Sequence, residues 1–68
     1  MVNSRKLLGL FAENGMTRHA VAEKLGITDN TLRRKLIAGK FDSDEMYNLI
    51  KLLNIADPAA IFFADNGA

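Results

Sequence analysis

Six of the nine basic side chains of this 68-residue chain fall within residues 18–40, and four of them close a single short stretch: Arg33, Arg34, Lys35 and Lys40. Asp29, Asn30 and Thr31 stand just ahead of them. Guanidinium groups and a side-chain amide at this spacing suit recognition of a polyanion, because they offer paired donors with fixed geometry. Little else in the chain is equipped for chemistry. His19 is the single histidine and no cysteine is present, so nucleophile–base pairs and thiolate sites have no material. A His-based metal site would have to be completed by carboxylates, and none is expected.

The elements that must hold these side chains are two short helices. Thr17 is placed to cap a helix over residues 18–25, whose Val21, Ala22 and Leu25 share one face. Gly26 ends it, since glycine takes a positive φ without a Cβ penalty. Ile27 follows, and Thr28 caps a second helix over residues 29–38 with Leu32 and Leu36 turned inward. Asp29, Asn30, Arg33 and Arg34 then point outward. A polar, basic helix held against a partner by a three-residue turn is the helix-turn-helix arrangement of DNA-binding proteins.

The flanking segments read as helices too. The first is expected over about residues 4–14, capped by Asn3 or Ser4, with Leu7, Leu10 and Phe11 as its stripe and Asn14-Gly15 as its stop. Met16 turns into the core at the corner. Asp42 or Ser43 caps a helix over 43–53, where Asp42 and Glu45 have capping-box spacing and Met46, Leu49, Ile50 and Leu53 form the apolar face. Asn54 is the expected C-cap and Ile55 returns inward. Asp57-Pro58 opens a last helix over 58–64, and Asp65 to Ala68 should fray. No period-two alternation marks a strand. The expectation is an all-α, compact five-helix single domain spanning residues 1–68.

Net charge is +1 overall but unevenly divided. Residues 18–40 carry +4, residues 41–68 carry −4 (Lys51 against Asp42, Asp44, Glu45, Asp57 and Asp65), and residues 1–17 carry +1. A chain so polarised suits a module with one face toward a polyanion. No apolar run approaches the roughly 20 residues that span a bilayer, and the N-terminal apolar stretch is too short and amphipathic for a signal peptide. A soluble, cytoplasmic protein is expected, with no membrane partner, no cofactor and no small-molecule substrate.

These residues together resemble the lambdoid phage repressor and Cro-like family, the Cro/C1 or XRE type of helix-turn-helix protein. The resemblance is carried by Gly15-Met16-Thr17, Ala22, Leu25-Gly26-Ile27-Thr28 and Leu32, with Arg34-Lys35-Leu36, Gly39-Lys40 and Ile61-Phe62-Phe63 fitting the small phage Cro-like subgroup. It spans about residues 4–63. It implies a lambda-repressor-like fold and a transcriptional regulator, Cro-like or repressor-like and of phage or prophage type, that binds a double-stranded operator as a homodimer. Two positions depart from the pattern. Arg18 stands where relatives usually carry a Gln that touches a phosphate and braces a neighbour, and Ile37-Ala38-Gly39 replaces the usual Asn-Gly exit with one residue more.

By matching positions, the base readers implied are Asp29, Asn30 and Arg34, then Thr28 and Arg33. Asn30 suits adenine and Arg34 or Arg33 guanine, while Asp29 either accepts from a cytosine amino group or only favours its helix N-terminus. Arg18, His19, Thr31, Lys35 and Lys40 are the phosphate candidates, because the start of helix 2 and the flanks of helix 3 straddle the backbone. One of Phe62 and Phe63 is expected to close the core, the other to join Leu52 or Ile37 in a dimer patch. The alternative reading is a protein-interaction module that keeps the fold without binding DNA. An enzyme is not expected, since His19 has no partnered nucleophile and a small helical domain has little room for a dry pocket.

Overall fold

The computed structural model of the chain describes residues 1–63. Five helices follow one another in it: α1 (Ser4–Glu13), α2 (Arg18–Leu25), α3 (Asp29–Ala38), α4 (Ser43–Leu53) and α5 (Pro58–Phe62). No strand occurs among the described residues, so the fold is all-α, as the periodicity predicts. None of these helices is long and apolar enough to cross a membrane.

Short polar side chains start each helix. Asn3, Thr17, Thr28, Asp42 and Asp57 each accept a hydrogen bond from a backbone N–H in the first turn beyond them, satisfying donors that have no partner inside the helix. At α4 the box is complete: Asp42 Oδ1 accepts from the Glu45 N–H at 2.7 Å and Glu45 Oε1 accepts from the Asp42 N–H at 3.0 Å. Asn3 rather than Ser4 caps α1, and Asp42 rather than Ser43 caps α4. α1 stops at Glu13, one residue before the expected end, because Asn14 takes the C-cap position. Asn54 ends α4 in the left-handed region at φ 51°, as its type allows. α5 closes at Phe62 with Phe63 as its cap, and the expected extension to residue 64 and the fraying of 65–68 lie outside the described residues.

One core gathers a face from every helix. Leu7 and Phe11 of α1, Val21 and Ala22 of α2, Leu32 and Leu36 of α3, Leu49 and Leu53 of α4, and Ile61 and Phe62 of α5 are all buried, with Val2 and Ile55 from the connections. Met16, Leu25 and Ile27 pack against this cluster at the corners around α2. Phe62 is therefore the aromatic that closes the core, and Phe63 is 69% exposed. The most extensive helix–helix contact is α2 against α3. The N-terminal segment clasps the far end of α3: the Val2 N–H donates to the Gly39 carbonyl at 3.0 Å, and the Ser4 hydroxyl donates to the Leu36 carbonyl. The third helix is thus fixed at both ends, by α2 at its start and by the chain's first residues at its finish.

Candidate nucleic-acid interface

The turn from α2 to α3 consists of Gly26, Ile27 and Thr28. Gly26 sits at φ +73°, a conformation that spares glycine the usual clash, and Ile27 returns its N–H to the Ala22 carbonyl at 3.0 Å. Thr28 is extended and its Oγ1 accepts from the Thr31 N–H at 3.1 Å, which aims α3 across α2. With Leu32 and Leu36 held in the core, the helical period leaves Asp29, Asn30, Arg33 and Arg34 exposed. All four were read from the sequence as outward-facing, and the structure places them so.

Two depressions flank this ridge on opposite sides of α3. One is lined by Arg18 and Arg33 together with Ser4, Leu8, Leu36 and Ile37. The other is lined by Thr31, Arg34, Lys35, Ala38 and Lys40. Arg18, Arg33, Arg34 and Lys40 are exposed and form no ion pair among the described residues, so their charge is available to an anionic partner. Asn30 stands on the exposed strip between the two depressions, one turn before Arg34.

The two threonines form a small unit. Thr28 Oγ1 also donates to Thr31 Oγ1 at 2.9 Å, so the Thr28 proton is spent internally while the Thr31 O–H remains able to donate outward. Thr28 is therefore bound first to its capping role, and any base contact it makes must use a remaining lone pair.

Two contacts join residues that the sequence left separate. His19 Nδ1 lies 2.8 Å from Asp29 Oδ1 and 3.1 Å from Oδ2, linking the first turn of α2 to the first turn of α3. The hydrogen bond to Asp29 and the carboxylate's charge hold the imidazole's pKa above its ordinary value; desolvation opposes them, and Glu23, one turn along α2, adds a smaller upward push. Lys35, at the other end of α3, places its Nζ 3.0 Å from Glu45 Oε1, and both side chains are largely covered. Its ammonium is thereby partly neutralised by the capping box of α4, in contrast to the unpaired Arg34 and Lys40 beside it. Charge type alone marks neither pairing. Each depends on two helix ends meeting in space.

Among the described residues no cluster of three or more His, Cys, Asp or Glu is placed to hold a metal ion. Of the expected dimer-patch residues, Ile37 is 74% exposed on α3 and Phe63 stands out beyond α5, while Leu52 is half-buried. No family model, curated protein or solved structure matches the chain.

Proposed function

We propose that this protein is a sequence-specific double-stranded DNA-binding regulator of the Cro/C1 type, with α2 and α3 as its helix-turn-helix and α3 entering the major groove. The observation that carries the reading is the exposed α3 ridge with a cationic depression on each side. A helix in the major groove has a phosphate backbone on either flank, and unpaired arginine and lysine side chains there would neutralise both strands. In this arrangement Asn30 and Arg34, on the ridge, read base edges, Asn30 in the paired manner suited to adenine and Arg34 in that suited to guanine. Arg33, Asp29 and Thr28 lie beside them. Arg18, His19, Thr31 and Lys40 grip phosphates, and Lys35 holds the end of α3 while adding a partly neutralised charge.

A dimer of such domains reads a pseudo-palindrome with half-sites about one turn, roughly 34 Å, apart. Ile37 and Phe63 are among the exposed apolar side chains available to such an association. Regulation of transcription in a bacterial cytoplasm, as a Cro-like protein of a phage or prophage, is the setting this reading implies.

Selection from a randomised duplex library tests the proposal. Enrichment of a motif with two-fold symmetry is the expected result. Arg34→Ala should lower affinity for the enriched duplex by about thirtyfold or more, the cost of one lost bidentate base contact in each half-site, and relax the preference at one position per half-site. Failure of wild-type protein to enrich any sequence would favour a protein-interaction module instead.

A further inference from the structure

The contact between His19 and Asp29 has a consequence for how a polyanion would be held. Asp29 places a negative charge at the start of the proposed recognition helix, where phosphates would approach. His19 Nδ1 faces both carboxylate oxygens, at 2.8 and 3.1 Å, so the proton in this contact sits on Nδ1. Both side chains remain open to the surface, at 72% and 62% exposure. The opposite ring nitrogen, Nε2, is therefore the atom available to a partner.

Its character depends on protonation. In neutral imidazole with the proton on Nδ1, Nε2 carries a lone pair and repels a phosphate oxygen. In imidazolium, Nε2–H becomes a donor and the ring's charge offsets that of Asp29. We propose that His19 is the positioning residue for Asp29 and, once protonated, a phosphate clamp, so that DNA binding takes up a proton at this pair. The inference rests on the DNA-binding reading and adds to it a proton-linked contact made by α2 and α3 jointly.

The surroundings act in the required direction. Asp29 from α3 and Glu23 from α2 are the charges that move the imidazole, both acidic and both raising its pKa. Arg18 precedes it in the chain, and Arg33 lies one turn beyond Asp29. A phosphate at Nε2 would raise the pKa further, so the bound state holds the proton more tightly than the free state. Affinity is then highest below the free protein's pKa and falls as pH rises through the pKa of the complex.

The test uses the full chain and a fluorescent random-sequence duplex of about 20 base pairs at low, constant ionic strength, read by anisotropy between about pH 5.5 and 8.5. Wild-type affinity should fall about three- to tenfold from about pH 6 to 8, within the limit of one decade per pH unit that a single linked proton sets. His19→Gln should flatten the profile, whereas Asp29→Asn should shift its fall to lower pH and bind at least as tightly as wild type at the alkaline end. Both sites are exposed, and unchanged helical circular dichroism establishes that the variants fold. Because His19 is the single histidine of the chain, its ring proton resonances can be followed without assignment, and their titration midpoint should drop in Asp29→Asn. Binding that is tight but indifferent to pH, or a pH dependence that survives in His19→Gln or is unmoved in Asp29→Asn, overturns the clamp and leaves the DNA-binding reading standing. Absence of binding at every pH overturns both.

Discussion

Lys35 and Glu45 join the last turn of α3 to the first turn of α4 through a 3.0 Å ion pair, and the same Glu45 oxygen accepts the Asp42 N–H. One carboxylate thus closes the α4 capping box and anchors the helix that carries the exposed basic ridge. Glu45→Ala removes both functions and leaves a partly covered ammonium and a backbone N–H without their partner. It should destabilise the protein by about 1–2 kcal/mol, the range for losing a cap and a shielded charge partner. For a domain of this size that lowers the thermal midpoint by about 4–8 °C per kcal/mol. Glu45→Gln keeps the acceptor for Asp42 and should cost about half as much, as measured by thermal denaturation.

Gly39 ends α3 at φ +68°, and a Cβ built there would lie 2.8 Å from Met1 Cγ and 3.3 Å from the Val2 carbonyl oxygen. Gly26 has a similar φ of +73° but open space around it. Gly39→Ala should therefore cost more than Gly26→Ala: about 2 kcal/mol against about 1, the second being backbone strain alone. Urea denaturation of the two variants checks the order, and equal losses would mean that the N-terminal clasp yields freely.

Leu32 is fully buried between the outward-facing Asp29–Asn30 and Arg33–Arg34 pairs. Leu32→Ala should destabilise by about 2–5 kcal/mol, a large share of what a domain this small possesses. Loss of DNA binding in that variant is expected to track loss of helicity, whereas Arg34→Ala should lose binding with its circular dichroism intact.

Stability should also carry the mark of the His19–Asp29 pair. The folded state raises the His19 pKa, so the stabilisation is fully present below the ordinary histidine value of about 6.5, provided Asp29 is ionised. It is lost as pH rises through the raised folded-state value. The difference in thermal midpoint between wild type and His19→Gln should be greatest near about pH 5.5 and vanish by about pH 8.5; a difference that grows with pH would contradict the pairing. The effect should be small, because both groups are exposed and solvent screens them.

The helices were legible in the residues because their signals are local. Thr17, Thr28, Asp42 and Asp57 mark starts within one turn of the donors they satisfy, and Gly26, Gly39 and Asn54 mark ends by their tolerance of positive φ. The outward placement of Asn30 and Arg34 followed from the same period that buries Leu32 and Leu36. What sequence reading missed is non-local. Nothing in residues 19 and 29 alone says that a histidine in the first turn of α2 meets an aspartate opening α3, nor that Lys35 turns toward Glu45 rather than toward its basic neighbours. Those contacts are set by how α2, α3 and α4 cross, and the crossing is decided by the whole core. The choice between Phe62 and Phe63 was likewise open, since adjacent residues on a helix differ by about a quarter turn and either could face inward.

The central claim, that the α3 ridge and its two cationic flanks bind duplex DNA, is tested most directly by the salt dependence of wild-type affinity for the selected duplex. Three cationic phosphate contacts from each protomer of a dimer predict a slope of log K against log salt of about −5. Arg18→Ala should make that slope shallower by about two, one contact per protomer, while weakening all sequences alike. A flat salt dependence, or no measurable binding at low ionic strength, would contradict the claim.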